Sequence, residues 1–255
     1  VQVTRITVHQ SDTEAELKCH SSCSPAGRLS YVWFKNRQKV TGVETSSFKG
    51  RVYPGDIISC ALKGHENYGS PPVYAPKLPS VSVSPSAEIV EGSSVTLTCS
   101  SDANPAAKYT WYKENGDPDL HPLSKEPQLV FSSIQSSDSG EYYCTAENEL
   151  GRRTPEYISI NVTYAPKLPS VSVSPSAEIV EGSSVTLTCS SDANPAANYT
   201  WYKKNGGPDL QPLSKEPQLV FSSIQSSDSG EYYCTAENEL GRRTTDYIYI
   251  NVTCE

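Results

Sequence analysis

The chain has 255 residues, 36% of them apolar, and a formal charge of −8 at pH 7. That length allows two or three domains of ordinary size, and the acidic balance excludes a phosphate-backbone ligand, which needs a basic face. With 16 Tyr against 4 Phe, the composition suits short half-buried strands better than helices with an aliphatic stripe.

Eight cysteines without a C-x-x-C pair point to disulfides and an oxidising, extracellular setting. No stretch reaches the roughly 18 apolar residues of a membrane span, and no signal-peptide pattern is present. There is no methionine. The chain is therefore expected to be a piece of a longer secreted or membrane-anchored protein, on the extracellular side of the plasma membrane.

In chain order, the first predicted strand is the alternating run Ala15, Leu17, Cys19, which ends where "CHSSC" begins, with Cys23 close behind. Trp33 and Cys60 follow. From Tyr74 the sequence repeats itself: 74–163 and 164–253 are copies offset by 90 residues. They differ only at Lys108/Asn198, Glu114/Lys204, Asp117/Gly207, His121/Gln211, Pro155/Thr245, Glu156/Asp246 and Ser159/Tyr249, expected at turns and outward positions. Ninety residues suit a small domain, so three are expected: 1–73, 74–163 and 164–255. Each copy opens with "YAPKLPS", whose prolines stiffen a short connection.

Within a copy, Val95, Leu97 and Cys99 share one strand face, Trp111 follows, and Leu129, Phe131, Ile134, Asp138, Gly140, Tyr142 and Cys144 stand in one frame. Cys99 and Cys144 enclose about 45 residues, and a crosslink closing such a loop contributes about 4 kcal/mol in the chain-entropy account. The second copy repeats the set with Cys189, Trp201, Asp228, Gly230, Tyr232 and Cys234.

Catalytic chemistry finds no foothold. Of the four histidines, His9, His20, His65 and His121, the last becomes Gln211 in the other copy. "CHSSC" has no second ligand pair at zinc spacing. No glycine-rich phosphate loop and no nucleophile–base pair occurs. No enzyme activity, metal, cofactor or nucleic-acid partner is expected. Three sequons, at Asn161, Asn198 and Asn251, fall on outward strand positions by alternation and are expected to carry glycans. Arg152–Arg153 and Arg242–Arg243 read as a solvated strand start.

The order Cys, Trp, Asp-x-Gly-x-Tyr-x-Cys resembles an immunoglobulin domain. The resemblance implies an all-β chain of three tandem β-sandwiches, with Trp33, Trp111 and Trp201 packed on inter-sheet disulfides Cys19–Cys60, Cys99–Cys144 and Cys189–Cys234. Tyr142 and Tyr232 take the tyrosine-corner position. Intervals this short imply the constant or intermediate type, since a variable-type domain inserts about 20 more residues between its cysteines. "ENELG" falls at the F–G turn, where Gly151 and Gly241 are expected at positive φ. In the first domain Ile58 stands at the corner tyrosine and Pro54 at the corner Asp. The corner bond is thus expected to be missing, leaving this domain the least stable.

"AELKCHSSCSPAGRLSYVWFKN" and the serial "YAPKLPSVSVSPSAEIVEGSSVTLTC" units further resemble the Siglecs, sialic-acid-binding immunoglobulin-like lectins, especially B-cell inhibitory receptors of fish type. That family implies a variable-type lectin domain ahead of a constant-type stalk. No residue here matches its sialic-acid arginine, so sialylated glycans would be met only through an upstream domain. Cys23, where the copies have Ala103 and Ala193, would be half of a disulfide to that domain. Cys254 follows two spent pairs and is expected to be unpaired within the chain, available to a disulfide-linked partner. Expected partners are cell-surface glycoproteins or other immunoglobulin-family proteins. The alternative is a general adhesion or spacer ectodomain binding through its sheet faces.

Overall fold

A computed structural model of the chain describes residues 2–8, 14–22, 29–114, 121–155, 157–204 and 211–254. It is an all-β chain of three immunoglobulin-like sandwiches, in two compact units. The first unit comprises Val1–Ala87, Ser93–Ser133 and Asp138–Asn161; the second comprises Glu88–Gly92, Ile134–Ser137 and Val162–Glu255. Among the described residues no helix is long and apolar enough to cross a membrane.

The first sandwich of unit one contains β1 (Gln2–Val8), β2 (Glu14–His20), β3 (Tyr31–Lys35), β4 (Gln38–Lys39), β5 (Ser47–Arg51), β6 (Ile57–Leu62) and β7 (Val73–Tyr74). One sheet runs β1-β2-β5 and the other β4-β3-β6-β7. In β2 the burial pattern alternates through Ala15, Leu17 and Cys19, the period of a strand with one face in the core.

The next strands are β8 (Ser80–Ser84), β9 (Ile89–Val90), β10 (Val95–Ser100), β11 (Lys108–Glu114), β12 (Gln128–Phe131), β13 (Gly140–Asn148), β14 (Gly151–Arg153), β15 (Ile158–Ile160) and β16 (Val162–Thr163). The middle sandwich sets β12-β10-β8 against β11-β13-β14, with β15 also on β13. A bridge from Trp111 to Ser124 adds a short third edge beside β11.

The copy in unit two has β17 (Ser170–Ser174), β18 (Ile179–Val180), β19 (Val185–Ser190), β20 (Asn198–Lys203), β21 (Gln218–Phe221), β22 (Gly230–Asn238), β23 (Gly241–Thr244), β24 (Ile248–Ile250) and β25 (Val252–Thr253). Its sheets are β17-β19-β21 and β20-β22-β23, with β24 on β22.

Each core is pinned at the same three points. Cys19–Cys60, Cys99–Cys144 and Cys189–Cys234 join the sheets at Cα separations of 6.3, 6.4 and 6.5 Å. Trp33, Trp111 and Trp201 are fully buried beside them, and truncating such a residue to Ala would cost about 3–5 kcal/mol. Each indole N–H has an acceptor: Thr45 O at 3.0 Å, and Pro127 O and Pro217 O at 3.3 Å. That satisfies the one polar atom the burial would otherwise orphan.

At the tyrosine corners, the Tyr142 and Tyr232 hydroxyls donate to Asp138 O and Asp228 O at 2.5 Å. Burial, followed by the adjacent aspartate charge, pushes both phenols up to about 12. Gly140 and Gly230 precede the tyrosines at φ 145° and 149°, a region that only glycine enters cheaply.

The first sandwich builds this corner differently. Ile58 is fully buried in the tyrosine's place and forms no corner bond, yet the turn is closed. Asp56, two residues beyond Pro54, accepts from Tyr53 N at 2.8 Å and from Asn36 Nδ2 at 2.9 Å. Lys35 adds an ion pair at 3.0 Å. In the third sandwich Asp228 accepts from Gln225 N, also three residues upstream, at 2.8 Å. The aspartate's task has moved along the chain, and Pro54 is not its substitute.

One difference between the copies is not outward. Thr245 is buried; its amide donates to Cys234 O at 3.0 Å, and its hydroxyl accepts from Cys234 N at 3.0 Å. Ser70 makes the same pair of bonds to Cys60 in the first sandwich. Pro155 lacks the N–H and hydroxyl for either bond, and β14 ends at Arg153 where β23 continues to Thr244.

Candidate functional site

The linkers hold the most repeated polar geometry in the chain. In unit one, Tyr74 N donates to Asn104 O at 2.7 Å, and Asn104 Nδ2 donates to Pro72 O at 2.7 Å. Asn148, at the end of β13, uses both amide hydrogens, on Tyr74 O and Pro105 O at 2.9 Å each. Its Oδ1 accepts from Leu150 N at 2.9 Å. One side chain thereby ties the linker, the loop after β10 and the β13–β14 turn together.

Outside this knot, the Tyr74 hydroxyl donates to Asp102 Oδ1 at 2.7 Å, and Lys77 pairs with Asp102 Oδ2 at 2.7 Å. The Lys77 bond first, and the Tyr74 bond second, hold the Asp102 carboxyl below its ordinary range. Lys77 and Asp102 are solvent-exposed and Tyr74 is half-buried, so water screens the ion pair. The part-buried amide bonds carry more.

Packing closes the other side. Val73, Ala75 and Leu150 belong to the first sandwich's core cluster, so the linker is buried among residues of both sandwiches of this unit. Pro76 and Pro79 add fixed φ without a donor to satisfy. Gly151 and Gly241 do not take positive φ, contrary to the sequence expectation. A Cβ on Gly151 would stand 3.2 Å from Ala75 Cβ, and one on Gly241 would stand 3.0 Å from Ala165 Cβ. Close approach, not turn handedness, is what the glycine provides.

Unit two contains the same knot. Tyr164 N donates to Asn194 O at 2.7 Å, Asn194 Nδ2 to Val162 O at 2.8 Å, and Asn238 Nδ2 to Tyr164 O at 2.9 Å and Pro195 O at 3.0 Å. Lys167 pairs with Asp192 at 2.6 Å. Pattern reading missed Asn104, Asn148, Asp102 and Leu150. Their signal was the recurrence of "DANP" and "ENELG" beside "YAPK" in both copies.

The other predicted residues are dispersed. Asn161, Asn198 and Asn251 are exposed. Cys254 is an exposed free thiol; its Sγ lies 3.5 Å from Glu181 Oε2, and that bond and charge push its pKa up. Cys23 and His9 lie outside the described residues. His20, His65 and His121 are exposed, and among the described residues no group of three His, Cys, Asp or Glu side chains converges.

Paired sheets pinned by a disulfide and a tryptophan, repeated in series, define a chain of immunoglobulin-type domains. Immunoglobulin-domain family models match residues 79–148 and 168–252. The chain is 35% identical to the B-cell receptor CD22 of Mus musculus over 193 residues, covering 72% of this chain and 21% of that protein. It is 33% identical to myelin-associated glycoprotein of Homo sapiens over 183 residues, covering 71% of this chain and 28% of the other. Both are Siglecs. Among solved structures, the full ectodomain of mouse nectin-like molecule 4 shares the fold, with a TM-score of 0.57, 20% identity and 95% of each chain covered. The chain belongs to the immunoglobulin superfamily and resembles its cell-surface receptors and adhesion proteins, Siglecs among them. It spans between a fifth and three tenths of the two Siglecs it matches.

Proposed function

We propose that these residues form a stalk segment of a Siglec-like adhesion or inhibitory receptor of B cells or other leukocytes, spacing a lectin domain from the membrane. The linker knot carries this reading. A spacer needs connections that do not swivel, and Asn148 spends both amide hydrogens holding residues 74 and 105 to one turn. Cys23 is then half of a disulfide to a preceding variable-type domain, which would meet sialylated glycans. Cys254 offers a disulfide to a second chain, and Asn161, Asn198 and Asn251 carry glycans along the stalk.

The test is the full-length coding sequence with a disulfide map of the expressed ectodomain. A variable-type domain directly upstream, with a cysteine bonded to Cys23, is the expected result. A Cys23–Cys60 bond, or Cys23 left as a thiol beside an intact upstream domain, overturns the reading. So does the lack of any variable-type domain, which leaves a general adhesion or spacer ectodomain.

A further inference from the structure

Three of the seven positions that distinguish the two copies, Lys108/Asn198, Glu114/Lys204 and Ser159/Tyr249, are exposed on the outer face of one sheet. Registers order that face into rows. In the middle sandwich Lys108, Glu147 and Arg152 make the first row, and Glu114, Glu141 and Ser159 the last. In the third sandwich the first row is Asn198, Glu237 and Arg242. A tyrosine row lies further along, with Tyr202 stacked on Tyr233 at 5.2 Å and Tyr247 edge-on to Tyr233 at 5.3 Å. Tyr249 stands opposite Glu231 in the last row.

The neighbours of Tyr249 are matched within the chain. Lys204 pairs with Glu231 at 2.8 Å and lies over the Tyr247 ring at 4.5 Å. Tyr249 itself is 65% exposed and has no hydrogen-bond or ring partner among the described residues. Ile250 and Val252 are buried, so Tyr249 and the sequon asparagine Asn251 turn outward on the same side of the strand. Their Cα atoms are about 7 Å apart, and side chains on one strand face stand up from it side by side.

We infer that the first sugar of an N-linked chain on Asn251 rests against the Tyr249 ring, which makes Tyr249 a binding residue for the chain's own carbohydrate. The inference rests on the reading that Asn251 is glycosylated, and it holds whether or not the chain spaces a lectin domain. A pyranose presents a face of C–H groups; laid on an aromatic ring, both apolar surfaces leave water, and the negative ring face attracts the C–H groups. The phenol hydroxyl stays in solvent. One exposed ring is far too small a patch for a protein partner, but it matches one sugar, and the bond to Asn251 holds that sugar beside it at high effective concentration. The middle copy has the sequon at Asn161 but Ser159 two residues before it, where a ring is missing. The copy that gains the tyrosine also gains the sequon at Asn198 in the first row of the same face. Sugars then flank this face of the third sandwich at both ends.

Peptide mapping at Asn251, followed by nuclear magnetic resonance of the full chain made in animal cells with isotope-labelled sugars, tests it. Protons of the first sugar on Asn251 should be shifted upfield by the Tyr249 ring current. Tyr249→Ser should remove the shift, and Tyr249→Phe should keep it. Release of the Asn251 glycan from the folded chain by a peptide N-glycosidase should be about threefold faster in Tyr249→Ser than in the native chain. Asn251 recovered unmodified overturns both the inference and the reading it rests on. A glycosylated Asn251 whose first sugar shows no upfield shift, or whose shift and release rate are unchanged by Tyr249→Ser, overturns the inference alone. Far-ultraviolet circular dichroism checks that both variants remain folded, as the middle copy does with serine at this position.

Discussion

Gly151 and Ala75 approach so closely that a β-carbon on the glycine would lie 3.2 Å from the alanine methyl, and Gly241 and Ala165 repeat the contact at 3.0 Å. Two small residues, one in a turn and one in a linker, let the linker lie down on the following sandwich. Val at either glycine should therefore cost about 1–3 kcal/mol by overpacking. Urea unfolding of the full chain reads the loss, and Gly241→Val, at the tighter contact, should lose more. Unchanged stability in both would mean the contact does not hold the linker.

Asn148→Ala removes both bonds from the linker and the loop after β10, at about 1 kcal/mol each. Unit one should lose stability and gain freedom at residues 72–77. Small-angle scattering should show a broader distribution of dimensions than for the native chain, and backbone amides near Tyr74 should exchange faster. A scattering curve identical to the native one would remove the knot from any spacing role.

Tyr142 and Tyr232 set an alkaline limit. Their folded pKa is raised from 10 to about 12. Their contribution to stability is fully present below pH 10 and is lost as pH rises from 10 through 12. Tyrosinate absorbance should show a late phase near pH 12 that Tyr142→Phe and Tyr232→Phe each diminish. Complete titration by pH 11 would contradict the buried geometry.

Asp56 sets the opposite limit in the first sandwich. Burial raises its pKa, but bonds from Tyr53 N, Asn36 and Lys35 outweigh it, and the net shift is downward. A depressed folded pKa stabilises above the unfolded value and is lost as pH falls through the folded one. Asp56→Ala should destabilise this sandwich by about 1–3 kcal/mol at neutral pH, and by progressively less in acid. An equal penalty at pH 7 and pH 2 would show that its charge is irrelevant.

Pro155→Thr should stabilise the middle sandwich, since both bonds of Thr245 to Cys234 become available to Cys144. Two further bonds contribute about 1–3 kcal/mol. Slower exchange of the Cys144 amide is the specific readout, and faster or unchanged exchange would rule out the strand extension.

Lys108/Asn198 should be the difference with the largest visible product. Peptide mapping after expression in animal cells should find glycan on Asn198, Asn161 and Asn251. Asn198 recovered unmodified would erase the distinction between the two copies at that row.

Periodicity of two, the ninety-residue repeat and the spacing of Cys99, Trp111, Asp138, Tyr142 and Cys144 carried the fold class from the sequence alone, because inward alternation and a crosslinked pin are local patterns. The sequons were equally legible, since strand parity decides which way Asn161 faces. Other features needed three dimensions. Asp56 replaces the corner aspartate from two residues beyond Pro54, a shift invisible to alignment because what matters is reach to Tyr53 N, not sequence position. Gly151 owes its smallness to Ala75, 76 residues upstream (151 − 75), and Asn148 acts on Tyr74 across a similar distance. The rows of the outer sheet face also exist only once β11, β13, β14 and β15 are in register, since separate strands hold their charges far apart in the chain. Local patterns determine which residues turn inward, whereas contacts between distant segments decide what each turn, linker and face can hold.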